Sequence, residues 1–181
     1  MKKIDTKNMV ITALLIALGI IIPISFGFLR VVLPPAFTAT ITAHVPIFIA
    51  MFISPASAIF TTIGTTIGFQ LSGLNPVVVM RAASHIIFAI VGAYMVKKNS
   101  SIVATGVVTG ILHALFEAIT VYIFLALGWS QAPEGSSFVS VAFYVTGIGT
   151  LIHHTIDYVI AIAILKALEK TKMVDHLPKM I

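Results

Sequence analysis

The 181-residue chain has no cysteine, a single tryptophan and little charge, with Asp, Glu, Lys and Arg together at 9%. Without cysteine there is no disulfide scaffold, no thiol nucleophile and no thiolate metal site. Soluble domains carry roughly 25% charged residues, so too few polar side chains exist here to cover a water-exposed surface. The same poverty of charge excludes intrinsic disorder and a coiled coil, both of which need many charges. What is present is apolar: 59% of residues are hydrophobic and the mean hydropathy is +1.09. This is the composition of an integral membrane protein, read as one domain over 1–181.

The net charge of +5 fits a nucleic-acid partner in a soluble protein, but in a membrane protein it orients the chain, and no nucleic-acid role is expected. Lys2, Lys3 and Lys7 imitate the charged start of a signal peptide. The apolar run 9–28 is too long for the core of one, and no A-x-A site follows, so no cleavable signal is expected.

A spanning helix needs about 20 mainly apolar residues. Six runs approach that length: 9–29, 37–53, 56–71, 76–96, 102–127 and 141–168. Pro23 kinks or shortens the first, 30–35 reads as a loop, and Pro46 lies inside the second. Asn75-Pro76 is a cap followed by proline at a first helical position, and Ser100 or Ser101 caps the fifth run. The expected fold is an all-α membrane protein of six transmembrane helices. The nine lysines, at 2, 3, 7, 97, 98, 166, 170, 172 and 179, all fall on one side under an even number of spans. The positive-inside rule then places both termini in the cytoplasm. Small residues recur at four-residue spacing in Ala13/Ala17, Gly64/Gly68 and Gly106/Gly110, a pattern that lets helices approach closely.

Ionisable residues inside spans are costly and therefore mark candidate sites. Here they are His44, Arg81, His85, His113, Glu117, His153, His154 and Asp157. At the helical rise, Arg81 lies about 9 Å below the outer end of its run, and His85 and Glu117 each about 15 Å below theirs. Four runs thus deliver polar groups to one layer between the outer surface and the midplane, read as a polar pocket opening outward. Arg81 stands out because a guanidinium stays charged and offers planar, paired donors to a carboxylate; the competing reading is an ion pair with Glu117. Of His153 and His154, at most one is expected to face inward, since neighbours point about 100° apart. Asp157 is expected to partner His153 or His113. Tyr122, Tyr144 and Trp129 are candidates to stack on a flat ring at the outer mouth, with interfacial anchoring as the alternative for Trp129.

A His with a carboxylate four residues on occurs twice, as His113/Glu117 and His153/Asp157. Zinc or iron uses such pairs, but the spacing is common in any helix, and no metal site and no cofactor are expected. There is no G-x-S-x-G, P-loop or paired-aspartate phosphotransfer motif, so no catalytic residue is assigned. A His/carboxylate membrane metalloenzyme and a stand-alone transporter are the alternatives from other classes.

The chain resembles an S component, the substrate-binding subunit of an energy-coupling factor (ECF) vitamin transporter. Size, six runs, the basic start and the A-x-x-x-A pair Ala13/Ala17 carry the resemblance over nearly the whole chain. The stretch 42–55 (TAHVPIFIAMFISP), with Val79, Met80, Arg81, Ala82 and His85, is similar to the branch assigned to niacin uptake. The resemblance implies a plasma-membrane subunit that binds its vitamin near the outer face under the loop between the first two helices. It implies docking on a transmembrane coupling protein driven by two ATPase subunits, which use the ATP, with Ala13 and Ala17 as the docking pair. Arg81 is assigned to the vitamin carboxylate, and a His or Glu117 to the ring nitrogen. His44, His85, His113 and His153 join the candidate substrate contacts, with Asn75 and Tyr144 at the mouth. Pantothenate, also a carboxylate, fits Arg81 nearly as well; pyridoxine and hydroxymethylpyrimidine are neutral alternatives that leave Arg81 to Glu117.

Overall fold

The computed structural model describes residues 6–33 and 37–170. Lys2, Lys3, Lys172, Lys179 and the loop end at Pro35 lie outside the described residues. Six α-helices appear in chain order: α1 (Thr6–Ser25), α2 (Val45–Met51), α3 (Pro55–Leu71), α4 (Pro76–Lys97), α5 (Ile102–Ala126) and α6 (Gly149–Lys170). Among the described residues, four helical segments are long and apolar enough to cross a membrane: α1, α4, α5 and the stretch Ser140–Lys170.

Side-chain caps set the starts of three helices, the expected ones at Asn75 and Ser101 and one at Ser54. Ser54 accepts a hydrogen bond from the Ser57 amide ahead of Pro55. Asn75 accepts from the Val77 amide ahead of Pro76, and Ser101 from the Ala104 amide. Each satisfies a donor that the first turn leaves open. Pro23 does not stop α1. It falls in the last turn, and the chain continues after Phe26 as a 3₁₀ turn, Gly27–Leu29.

The second run is not the helix expected over 37–53. Strands β1 (Arg30–Leu33) and β2 (Phe37–Thr40) form an antiparallel hairpin, with Arg30 opposite Thr40 and Val31 opposite Ala39. The β-branched residues Val31, Val32, Thr38 and Thr40 fit a pleated pair. Thr42 takes a positive φ of 73°, which breaks any helix there, and Pro46 sits in the first turn of α2, where its missing N–H costs nothing. What remains is a helix of seven residues, about 10 Å long. Every one of its residues is buried, because α1, α3, α4 and α6 surround it.

Glycines set how closely the outer helices pack. A Cβ on Gly68 would lie 2.7 Å from the Ile20 Cα, and one on Gly64 3.3 Å from the Ile16 carbonyl oxygen, so α1 and α3 touch backbone to backbone. Gly110 leaves room on α5 for the His154 ring, 3.1 Å from where its Cβ would stand. The outward faces are apolar: Met9, Val10, Leu14, Leu18 and Ile21 on α1 and Val103, Val107 and Ile111 on α5 are all exposed in the isolated chain, as a lipid-facing shell requires.

Residues 140–170 form one helical stretch in two parts. Ser140–Ile148 is π-helical and runs into α6 without a break. The sequence reading had a single helix over 141–168; no feature of the sequence marks the wider turns.

Candidate functional site

Helices α4, α5 and α6, together with His44 at the cap of α2, carry polar side chains into one buried layer beneath the hairpin. On α6, Thr150, His153, His154 and Asp157 follow the i, i+3, i+4, i+7 pattern of one helix face. On α5, Thr105, Thr109, His113 and Glu117 repeat every fourth residue, and all are buried.

Glu117 is the most connected group. Its Oε2 accepts from Arg81 Nη2 at 2.7 Å and from the Thr150 hydroxyl. Its Oε1 accepts from His85 Nε2 at 2.9 Å, with His113 Nε2 at 3.5 Å. Arg81 also donates from Nη2 to the Thr38 carbonyl at 3.3 Å, and its guanidinium carbon stands 5.5 Å from the centre of the Phe37 ring. The ion pair with Glu117 is therefore formed, and the hairpin closes over it.

Asp157 anchors a second group. It accepts from the Thr42 amide at 2.8 Å, the His44 amide at 3.1 Å and the His44 ring Nδ1 at 3.1 Å. His153 Nε2 is 3.5 Å away. The expected partner of Asp157 was His153 or His113; its hydrogen-bonded ring is His44, because the sharp turn at Thr42 brings that segment onto α6. The two groups meet through rings: the His44 centroid lies 4.6 Å from His85, 4.6 Å from His113 and 4.7 Å from His153.

Both His153 and His154 are buried, which corrects the expectation that only one faces inward. α6 packs on α2 and on α5, so directions that diverge along the helix both end in protein. His153 meets His44. His154 meets His113, nitrogen to nitrogen at 3.0 Å, and the Thr109 hydroxyl at 3.3 Å.

Two candidates stand outside this layer. Asn75 is exposed and caps α4. Tyr144 is 65% exposed on the outer side of the π-helical segment, which turns it away from the cluster. Tyr122 and Trp129 are exposed too, and their ring contacts are Phe143 and Phe124. The sequence reading missed Phe37, Thr38, Thr42 and Thr150. The spacing of Thr150 from His153, His154 and Asp157 was a usable signal; the backbone groups of the hairpin and turn left none.

The cavity at the centre of this layer holds about 20 Å³ and is lined by Thr38, Thr40, His44, Arg81, His85 and Glu117 among others. That is room for one water-sized occupant and not for an aromatic ring.

The chain is 35% identical to the niacin transporter NiaX of Lactococcus lactis subsp. cremoris (strain MG1363), across 98% of this chain and 82% of the relative. It belongs to that niacin-transporter family, the niacin branch of the ECF S components. No family model and no solved structure matches the chain. As a member of this S-component family, the chain is a membrane-embedded vitamin transporter subunit. The buried layer is then its candidate vitamin site.

Proposed function

We propose that the chain is the capture subunit of an ATP-driven niacin importer in the plasma membrane. It binds the vitamin beneath the hairpin and delivers it by docking on a transmembrane coupling protein driven by two ATPase subunits. The supporting observation is a buried guanidinium beside a carboxylate and a ring of histidines, in a chain whose relative is named a niacin transporter. A guanidinium binds a pyridine carboxylate through paired donors. His44, His85, His113 and His153 supply nitrogens for the ring, and Phe37 on the hairpin supplies a face for it.

Thr38, Ala39 and Thr40 line the roof of the cavity. The ring enters when the hairpin swings off and Arg81 gives up its hold on the Thr38 carbonyl. Six crossings with both termini inside remain our reading, with 37–53 as the second crossing. Irregular backbone at membrane depth is tolerated where protein encloses it, and every residue from Ala43 through Met51 is buried in that segment. Ala13 and Ala17 are exposed on α1, on a smooth apolar surface that suits docking of another helix.

The test is mass spectrometry of small molecules that co-purify with the detergent-solubilised protein, followed by binding of labelled niacin in competition with pantothenate and pyridoxine. Niacin is expected to be retained and to outcompete both. Preferential retention of another vitamin would overturn the substrate assignment.

A further inference from the structure

The hydrogen-bond network fixes which ring nitrogen of three histidines carries a proton. His44 Nδ1 faces the Asp157 carboxylate at 3.1 Å; a carboxylate only accepts, so Nδ1 carries the hydrogen. His85 Nε2 faces the Glu117 carboxylate at 2.9 Å and carries its hydrogen for the same reason. For His113 the argument runs through two partners. The Thr109 hydroxyl spends its hydrogen on the Thr105 carbonyl at 2.7 Å, so it accepts from His154 Nε2. His154 Nδ1 is then the acceptor, and His113 Nδ1 donates to it at 3.0 Å.

In their neutral forms, each of the three rings therefore keeps a lone pair on its other nitrogen: His44 Nε2, His85 Nδ1 and His113 Nε2. Those three atoms are buried and make no hydrogen bond among the described residues; His113 Nε2 also stands 3.5 Å from Glu117 Oε1, so a cation held there meets that carboxylate as well. The rings stand in a triangle with centroids 4.6, 4.6 and 4.5 Å apart. Each residue offers a ring nitrogen within 4.8 Å of those of the other two. Three buried lone pairs without a donor call for a cation.

We propose that His44, His85 and His113 together bind one divalent transition-metal ion of the zinc class. Imidazole nitrogens suit such ions, and three of them leave a position open for a further ligand. Each ring is also backed on its far nitrogen, by Asp157, Glu117 and His154 respectively, the outer support that metal-binding histidines carry. Charge agrees. With neutral histidines, Arg81, Glu117 and Asp157 sum to one negative charge, and a divalent ion turns that into one positive charge. A single carboxylate neutralises it; with the ion bound, the ion rather than the free nitrogens of His44, His85 and His113 faces the vitamin, and the metal site itself does not rest on the niacin reading.

The test uses the full chain purified in detergent with a tag free of histidine, dialysed against zinc and analysed for metal by mass spectrometry. About one zinc per chain is expected in the wild type, and a cobalt-loaded sample should show the visible absorption of a low-coordinate site. His44→Ala, His85→Ala and His113→Ala should each lose the ion. Asp157→Asn, which keeps one oxygen for the Thr42 amide, should weaken binding about 10–100-fold. Substoichiometric zinc in the monodisperse wild type overturns the proposal, as does undiminished zinc in the histidine variants. Niacin binding is measured on the same samples. Stoichiometric zinc without niacin binding supports the metal site and counts against the vitamin reading. Niacin bound with no zinc retained overturns the metal site and leaves the vitamin reading standing.

Discussion

Arg81 and Glu117 form an ion pair at 2.7 Å with both side chains nearly inaccessible. Removing one member of such a pair leaves an uncompensated buried charge, at a cost of about 3–5 kcal/mol. Arg81→Ala is therefore expected to lower the unfolding temperature in detergent and to abolish niacin binding. Adding Glu117→Gln to that variant removes the stranded charge while keeping one acceptor oxygen, for His85. The double variant should regain much of the stability and none of the binding. Thermal unfolding and labelled-niacin binding on the three proteins separate the two roles. Wild-type binding by either variant would remove the guanidinium from the site.

Among the elements, α1 and α3 depend on contact without intervening side chains. Gly68→Ala sets a methyl 2.7 Å from the Ile20 backbone, and overpacking of this kind costs about 1–3 kcal/mol. A matching fall in unfolding temperature is expected, with no change in niacin affinity, because the contact lies away from the cavity. Beside that seam, at exposed positions of α1, Ala13→Trp with Ala17→Trp should leave niacin binding intact and stop ATP-dependent uptake in cells. Equal loss of both would count against docking. These elements also show what the sequence could disclose. The starts of α4 and α5 were legible because capping is local chemistry. The shared depth of Arg81, His85 and Glu117 was legible because helical rise is regular. The hairpin was hidden by its hydropathy, since β-branched apolar residues read equally well as a membrane helix. The inward turn of both His153 and His154 was hidden because it depends on which helices flank α6, and that is tertiary.

For the whole molecule, the separation of charge from the apolar shell is the feature on which the proposed orientation rests. Lys97 and Lys98 end α4 and are exposed, whereas Glu134 is exposed in the loop after α5. Those two places lie at opposite ends of α5, whose 25 residues extend about 37 Å, more than the hydrocarbon thickness of about 30 Å. They must therefore lie on opposite sides of the bilayer if α5 spans it. The absence of cysteine makes the side testable without background. With cytoplasmic termini, a membrane-impermeant maleimide should label Glu134→Cys in intact cells and Lys98→Cys only after lysis. The reverse pattern would invert the protein and put the hairpin-covered site on the cytoplasmic side, where it could not capture a vitamin from outside. Labelling of both positions in intact cells would mean that α5 does not span, and the six-crossing reading would fall with it.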